Sequence, residues 1–282
     1  MDRMLQHIAD CNTARLPGRR LPVRIGDATV GFVQPDFAAV LAGFREFRAT
    51  EGSLTLADPA ALPRIVRTLA DTGRLRWRGE AFDVRAHPDG AVLAQLDRGA
   101  LPAFGVMSVG VHVNGLVHTA AGLSLWVAVR AADKQLDPGK LDHLVAGGVP
   151  AGLTPAQTLR KEAAEEADIP ADLAARAVKV GRIAYAAERA EGLRRDLLEC
   201  YDLDLPESFT PHPADGEVAR FELWPIEQAL ATVRAGDAFK FNVNLVLIDL
   251  FIRRGLLGGA EAARLRAALD APAPGAPGVM LS

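Results

Sequence analysis

The chain has little cysteine and few aromatic residues: Cys11 and Cys200 are its two cysteines, and Phe, Trp and Tyr together make up 6% of 282 residues. Two cysteines are too few for a disulfide framework and lack the paired spacing of a zinc site, so a reducing compartment, the cytoplasm, is expected. An excess of either charge is also missing. Lys and Arg number 32 against 35 Asp and Glu, a net charge of −3. That balance exerts no sequence-independent pull on nucleic acid or anionic lipid, so neither partner is expected and any phosphate must be gripped locally. The longest apolar run, Val243 to Ile252, is interrupted by Asp249 and is about half the length of a bilayer span. Met1 to Arg20 carries charges throughout, without the apolar stretch of a signal peptide. There is no internal repeat. What remains is a globular composition, 49% hydrophobic and 24% charged, in a chain long enough for two domains.

The first part, residues 1–103, reads as a small α+β domain. Val23 and Ile25 alternate up to Gly26-Asp27, and Val30 and Phe32 alternate after it, the pattern of a hairpin with a two-residue turn. Phe37, Val40, Leu41 and Phe44 follow Pro35 at helical spacing; Leu62, Ile65, Val66 and Leu69 follow Pro59, with Gly73 as the stop. Trp77 and Phe82 flank Gly79-Glu80, a second candidate hairpin, and the Pro/Gly/Asp-rich stretch His87 to Pro102 reads as a linker, with the boundary near Ala103. The second domain, 104–270, opens with strands over Phe104 to Val117 and Leu123 to Val129. Further strands are expected at Val178 to Ala184, Leu197 to Leu203 and Glu217 to Leu223, and helices at Ile226 to Arg234 and Phe241 to Arg254. Residues 271–282 read as a disordered tail.

The informative stretch follows Ala146-Gly147-Gly148. Thr154-Pro155-Ala156-Gln157 is a helix start, with Thr as N-cap, Pro at the first helical position and Gln completing a capping box. Pro170 ends the helix near Asp168-Ile169. Ala156, Leu159 and Ala163 form an apolar face, and Glu162, Glu165 and Glu166 crowd another, with Lys161 beside them. A solvated acidic face is the plain alternative. Against it stands the Gly-Gly turn at a fixed distance, whose carbonyl, added to Glu oxygens, makes hard-oxygen ligation suited to Mg²⁺ or Mn²⁺.

These residues resemble the Nudix hydrolase box: Gly, five residues, Glu, seven residues, Arg-Glu, apolar, any, Glu-Glu, any, Gly, apolar. Gly147, Leu153, Lys161, Glu162, Ala163, Glu165, Glu166, Asp168 and Ile169 occupy those positions without a gap. Leu153, Lys161 and Asp168 depart from the pattern in identity, where it has Glu, Arg and Gly. Lys161 keeps a cation beside Glu162 without the planar fork of Arg. The resemblance implies an α+β fold, a Nudix α/β/α sandwich with a mixed β-sheet after the small N-terminal domain. It also implies a metal set of Glu162, Glu165 and Glu166, with the Gly147 carbonyl and Mg²⁺ or Mn²⁺ as cofactor. A remote carboxylate, Glu217, completes the set, and Glu162 and Glu217 take the catalytic roles. For Glu217 the alternative is a turn residue opening a strand.

A narrower likeness runs through Gly110-Val-His-Val-Asn-Gly115, Pro138-Gly-Lys-Leu-Asp-His-Leu-Val-Ala-Gly-Gly148, Leu193-Arg-Arg-Asp196, Asp215-Gly-Glu-Val218, Phe239-Lys-Phe-Asn242 and Leu247-Ile-Asp-Leu-Phe-Ile-Arg-Arg-Gly255. It resembles Nudix proteins with an N-terminal domain of uncharacterised role, related to the Nudix part fused to thiamine pyrophosphokinase in some fungi. This implies hydrolysis of a small-molecule diphosphate, with oxidised thiamine diphosphate analogues ahead of nucleotide sugars, ADP-ribose and dinucleotides; a Nudix-fold binding module without catalysis is the other class. Arg194, Arg195, Lys140 and Lys134 are candidate phosphate contacts, against solvated hairpin and loop residues. His112, His143 and Trp126 read as structural residues.

Overall fold

Gly26, at φ +56°, turns the first hairpin, joining β1 (Leu21–Ile25) to β2 (Ala28–Val33). The computed structural model describes residues 2–133, 137–214 and 216–274. β3 (Phe47–Thr50) and β4 (Ser53–Leu56) extend the hairpin to a four-stranded sheet in the order β2-β1-β4-β3, with β1 and β4 parallel. Before this sheet comes α1 (Arg3–Asp10); α2 (Pro35–Leu41) and α3 (Leu62–Asp71) follow the apolar stripes, although α2 stops three residues short of Phe44.

The expected hairpin at Gly79-Glu80 does not form. β5 (Ala81–Val84) pairs instead with β6 (Ala94–Asp97), because the Asp97 carboxylate accepts hydrogen bonds from the backbone of Arg78, Gly79 and Glu80 and holds that loop open. The stretch expected to be a linker therefore carries β6, a single 3-10 turn at Arg98–Ala100 and α4 (Leu101–Phe104). Leu96, Ala100, Leu101 and Phe104 are buried in the same core as Val23, Leu54 and Ile65. Burial of those side chains, not the Pro and Gly content, decides the state of the segment.

The second sheet runs β11-β12-β7-β8-β13. Its strands are β7 (Met107–Thr119), β8 (Gly122–Arg130), β11 (Val178–Arg189), β12 (Gly192–Asp204) and β13 (Val218–Pro225). β7 and β12 are parallel and the other neighbours antiparallel, so the sheet is mixed. β7 and β8 pair from Gly115↔Trp126 outward; on the other side they part, and β9 (Leu141–Asp142) pairs with β8 while β10 (Val145–Gly148) pairs with β7. That split opens the sheet beside α5 (Pro155–Ala167).

Val111, Val113, Val145, Leu159 and Ala163 pack between α5 and one face of the sheet, together with Ala174 of α6 (Ala171–Ala174). The opposite face is covered by α7 (Ile226–Ala235), α8 (Val243–Arg253) and α9 (Gly259–Leu269), with Phe239, Leu247 and Phe251 fully enclosed. Two elements of this layer were not anticipated. α1 lies far away in sequence yet contributes Met4, Ile8 and Cys11 to it, and α9 contributes Leu265 and Leu269. Ala273 is buried against Phe32 and Leu193, so the described start of the expected tail is packed; residues 275–282 lie outside the described residues. No described helix is long and apolar enough to cross a membrane.

Candidate metal and diphosphate site

Helix α5 starts as its sequence dictates. Thr154 Oγ1 accepts from the Gln157 N–H at 3.2 Å and the Gln157 side chain accepts from the Thr154 N–H at 2.9 Å, closing the capping box over Pro155. It ends at Asp168, whose backbone is left-handed at φ +52°. A glycine is the ordinary occupant of such a conformation, and Asp is among the few side chains that tolerate it. That departure from the box leaves the backbone turn intact.

The three glutamates meet different surroundings. Glu165 is half-exposed and bonded to Lys161 at 2.6 Å; Lys161 also reaches Glu162 at 3.2 Å. Lys161 thus spans two of the carboxylates as a single point charge. Glu162 lies over Gly147, where a Cβ would stand 2.5 Å from the Glu162 Cδ, so a side chain there would have to displace the Glu162 carboxylate. Glu166 is buried at 7% exposure and accepts from the Ala146 N–H at 3.0 Å. It sits on the face of α5 turned to the sheet, whereas Ala156 of the expected apolar face is exposed.

A small cavity at the sheet split is lined by Ala128, Arg130, Asp142, His143, Ala146, Glu166, Glu217 and Val218. Glu217, read from the remote stretch before β13, is therefore brought to Glu166; its carbonyl accepts from the Ala131 N–H at 3.0 Å. Asp215 lies outside the described residues, as does Lys134. Lys140 is half-buried, its carbonyl bonded to the N–H of the cavity-lining Arg130 at 3.0 Å.

Burial pushes the Glu166 carboxyl well above the ordinary carboxylate range; the charges of Glu162, Asp142 and Glu217 add to the push and the Ala146 N–H opposes it. Burial also raises Glu162, with Lys161 opposing and Glu165 and Glu80 adding. Like charges gathered in low dielectric repel one another and resist ionisation. Oxygen donors held in this way fit a hard divalent cation, which would relieve the repulsion.

The arginines go elsewhere. Arg195 is buried, donates to the Gly105 carbonyl at 3.1 Å and stacks over Phe32 at 5.0 Å. Arg194 pairs with Asp196 at 3.0 Å and lies 5.8 Å from the Phe241 ring centre. Arg195 serves the junction of β12 with the preceding unit, and Arg194 its junction with the segment ahead of α8. This corrects the expectation that they grip phosphate; a hairpin end that reads as solvated is covered by neighbouring elements.

Sequence reasoning missed a buried polar knot beside the cavity. His112 and His143 share a hydrogen bond between their Nδ1 atoms at 2.9 Å, and both are nearly fully buried. Asp142 accepts from Arg130 at 2.8 Å, from Lys240 at 3.3 Å and from the His143 N–H at 2.9 Å. Among the described residues, His112, Asp142 and His143 form the group of potential metal ligands that converges within 4.8 Å. The charge of Asp142 is already balanced by two cations, however: against the upward push of burial, Lys240, His143 and Arg130 hold its carboxyl well below its usual range. The histidines thus keep their structural reading, and so does Trp126, which is buried in the α5 core. The only signal for the knot in sequence is Leu-Asp-His next to the Gly-Gly turn; its partners Lys240 and Arg130 meet it only through the sheet.

Burial pushes His143 down to about 4, and His112, also through burial and the neighbouring His143, well below its ordinary value. Below about pH 6.5 the unfolded chain takes up protons that the folded chain refuses. The stability conferred by the neutral pair is therefore complete above that pH and is lost as pH falls toward 4. Melting temperatures measured between pH 7.5 and 4.5 are expected to fall more steeply for the wild type than for a His112→Gln, His143→Gln double variant.

A mixed sheet held between a carboxylate-bearing helix and a second helical layer is a Nudix architecture, and the comparisons agree. Residues 110–243 match the family described as NUDIX domain, and residues 3–108 match the family described as Domain of unknown function (DUF4743). Nudix hydrolase 20, chloroplastic, of Arabidopsis thaliana is 35% identical over 85% of this chain and 69% of its own length. Nudix hydrolase 24, chloroplastic, of the same plant is 35% identical over 90% and 73%. Among solved structures, DR0079 from Deinococcus radiodurans is 23% identical over 60% of this chain and 97% of that one, with a TM-score of 0.47. The chain belongs to the Nudix hydrolase family, with a small α+β domain ahead of the Nudix domain.

Proposed function

We propose that the protein is a divalent-metal pyrophosphohydrolase that cleaves an organic diphosphate to a monophosphate and phosphate. The observation that carries this reading is the gathering of the half-buried Glu162, the buried Glu166 and the exposed Glu217 by the sheet split, where the charges of Glu162 and Glu217 act on the Glu166 carboxyl. Glu162, Glu165 and Glu166, with the Gly147 carbonyl, are the residues that would hold Mg²⁺ or Mn²⁺. The bound metal supplies charge neutralisation at the phosphate oxygens and a more acidic water. Glu217 and Glu162 orient the attacking water and accept its proton; its oxygen bonds to phosphorus as the bridging P–O bond breaks. Lys140, whose carbonyl bonds to the cavity-lining Arg130, is the lysine proposed to contact the phosphates. A small-molecule substrate is the partner, and two buried free thiols, Cys11 and Cys200, suit a reducing compartment such as the cytoplasm.

The finer assignment, oxidised or analogue thiamine diphosphates ahead of ADP-ribose and dinucleotides, is supported by the spread of the subgroup likeness from Gly110 to Gly255. The test is competitive turnover of both substrate types with Mg²⁺ or Mn²⁺ and with chelator. Hydrolysis is expected to vanish in chelator and return with metal, and kcat/KM for the thiamine compounds to exceed that for ADP-ribose by at least about tenfold, or about 1.4 kcal/mol. Full activity in chelator sinks the metal reading. Prior consumption of ADP-ribose makes the protein a nucleoside-diphosphate-X hydrolase, and no turnover with any metal makes it a binding module.

A further inference from the structure

The N-terminal unit is fastened to the turn that leads into α5. The Ala151 N–H donates to the Ala81 carbonyl at 2.8 Å, and the Phe82 ring fills the space over Gly148, where a Cβ would stand 2.7 Å from Cζ. Immediately before Phe82 comes the loop Arg76-Trp-Arg-Gly-Glu80, with Arg76 and Arg78 exposed. This loop is rigidly built. The buried Asp97 carboxylate accepts from the N–H groups of Arg78 at 3.0 Å, Gly79 at 2.8 Å, Glu80 at 3.2 Å and Gly99 at 2.8 Å. Arg98 bonds to Glu80 at 2.9 Å and lies over the Phe82 ring at 5.9 Å.

Geometry gives the loop a direction. Phe82, two residues past Glu80, lies against Gly148, and Glu162 lies over the adjacent Gly147, so the loop leads onto the carboxylate-bearing side of α5; the charge of Glu80 acts on Glu162 and that of Glu217 on Arg78. Arg78 is also crowded by its own kind: after burial, Arg76 and Arg98 are the charges that most oppose its proton. Guanidinium groups gathered on a pinned loop, next to carboxylates gathered on a helix, leave between them a place where an anion carrying a metal would be held from both sides.

Resting on the diphosphate reading above, we propose that the Arg76–Glu80 loop of the N-terminal unit is a wall of the substrate site. Arg78 contacts the phosphate oxygens that face away from α5, and Asp97 is the positioning residue that fixes the loop. Arg suits the task because its planar fork meets two phosphate oxygens at once. The N-terminal unit is then part of the substrate site.

The experiment uses the full chain. With the diphosphate that the wild type turns over fastest in Mg²⁺, Arg78→Ala is expected to raise KM by about ten to a hundredfold while kcat stays within about threefold. Arg78→Lys should recover part of the loss, and Arg45→Ala, a fully exposed charge elsewhere, should change nothing. Asp97→Asn should raise KM in the same sense, an effect a purely structural role would not produce in a variant that keeps its melting temperature and kcat. If the wild type is active and Arg78→Ala keeps its kcat/KM, the loop proposal falls and the hydrolase reading stands. If the wild type hydrolyses nothing, the hydrolase reading falls, and calorimetric binding of inorganic pyrophosphate decides the loop: a Kd at least about tenfold weaker in Arg78→Ala upholds it. An equal Kd, or no binding by the wild type, overturns it.

Discussion

Glu166→Gln is expected to lower the hydrolysis rate by about two to four orders of magnitude while leaving the fold intact. Gln keeps the size of the side chain and an oxygen for the Ala146 N–H, now bonded to Glu166 at 3.0 Å. It removes the charge, which is what a metal ligand contributes. The same change should raise the stability of the metal-free protein. Because burial, Glu162, Asp142 and Glu217 push the Glu166 carboxyl upward, its contribution to stability is lost as pH rises above the ordinary carboxylate range, and at pH 7.5 the wild type bears a cost of ionisation or proton uptake that the variant lacks. Metal should therefore raise the melting temperature of the wild type more than that of the variant. A variant with unchanged turnover returns Glu166 to a structural role; one that loses turnover but shifts with metal like the wild type moves the ligand role to Glu162 and Glu165.

Phe104→Ala is expected to cost about 3–5 kcal/mol in denaturant unfolding. Phe104 is 1% exposed, meets Phe37 edge-on at 5.3 Å between ring centres, and shares a core with Leu96, Leu101 and Val106. At a solvated position the same substitution would change stability by no more than about 0.5 kcal/mol. α4 is followed within three residues by β7, the strand that receives β10 and so positions the Gly147-Gly148 turn. Loss of this core should therefore reach the site, and kcat/KM is expected to fall together with stability.

The parts legible in the sequence are those decided by neighbours in the chain. The cap of α5, its stop before Pro170, the Gly26-Asp27 hairpin and the spacing of Glu162, Glu165 and Glu166 from Gly147 all rest on local hydrogen bonds and backbone limits, and each stands as expected. Where distant segments meet, the reading failed. Asp97 takes the backbone of the Gly79-Glu80 loop from 17 to 19 residues away and replaces the hairpin read there. α1 gains its apolar partners only when the chain returns with α8 and α9, and its short, polar sequence offers no long stripe of its own.

Charged residues show the same division. Arg194-Arg195 and Glu162-Glu165-Glu166 are both charged clusters in sequence, and nothing local separates them. Tertiary packing puts Arg195 under Phe32 and Gly105 and Glu166 at the cavity with Glu217. The sequence alone determined the family box and the helix that carries it, because spacing along one helix is a property of the chain. Only the tertiary structure decided which charges share a buried space, that Asp142 is already paired, and that the N-terminal unit packs on the turn ahead of α5, because burial and long-range Coulomb forces depend on which surfaces the fold brings together.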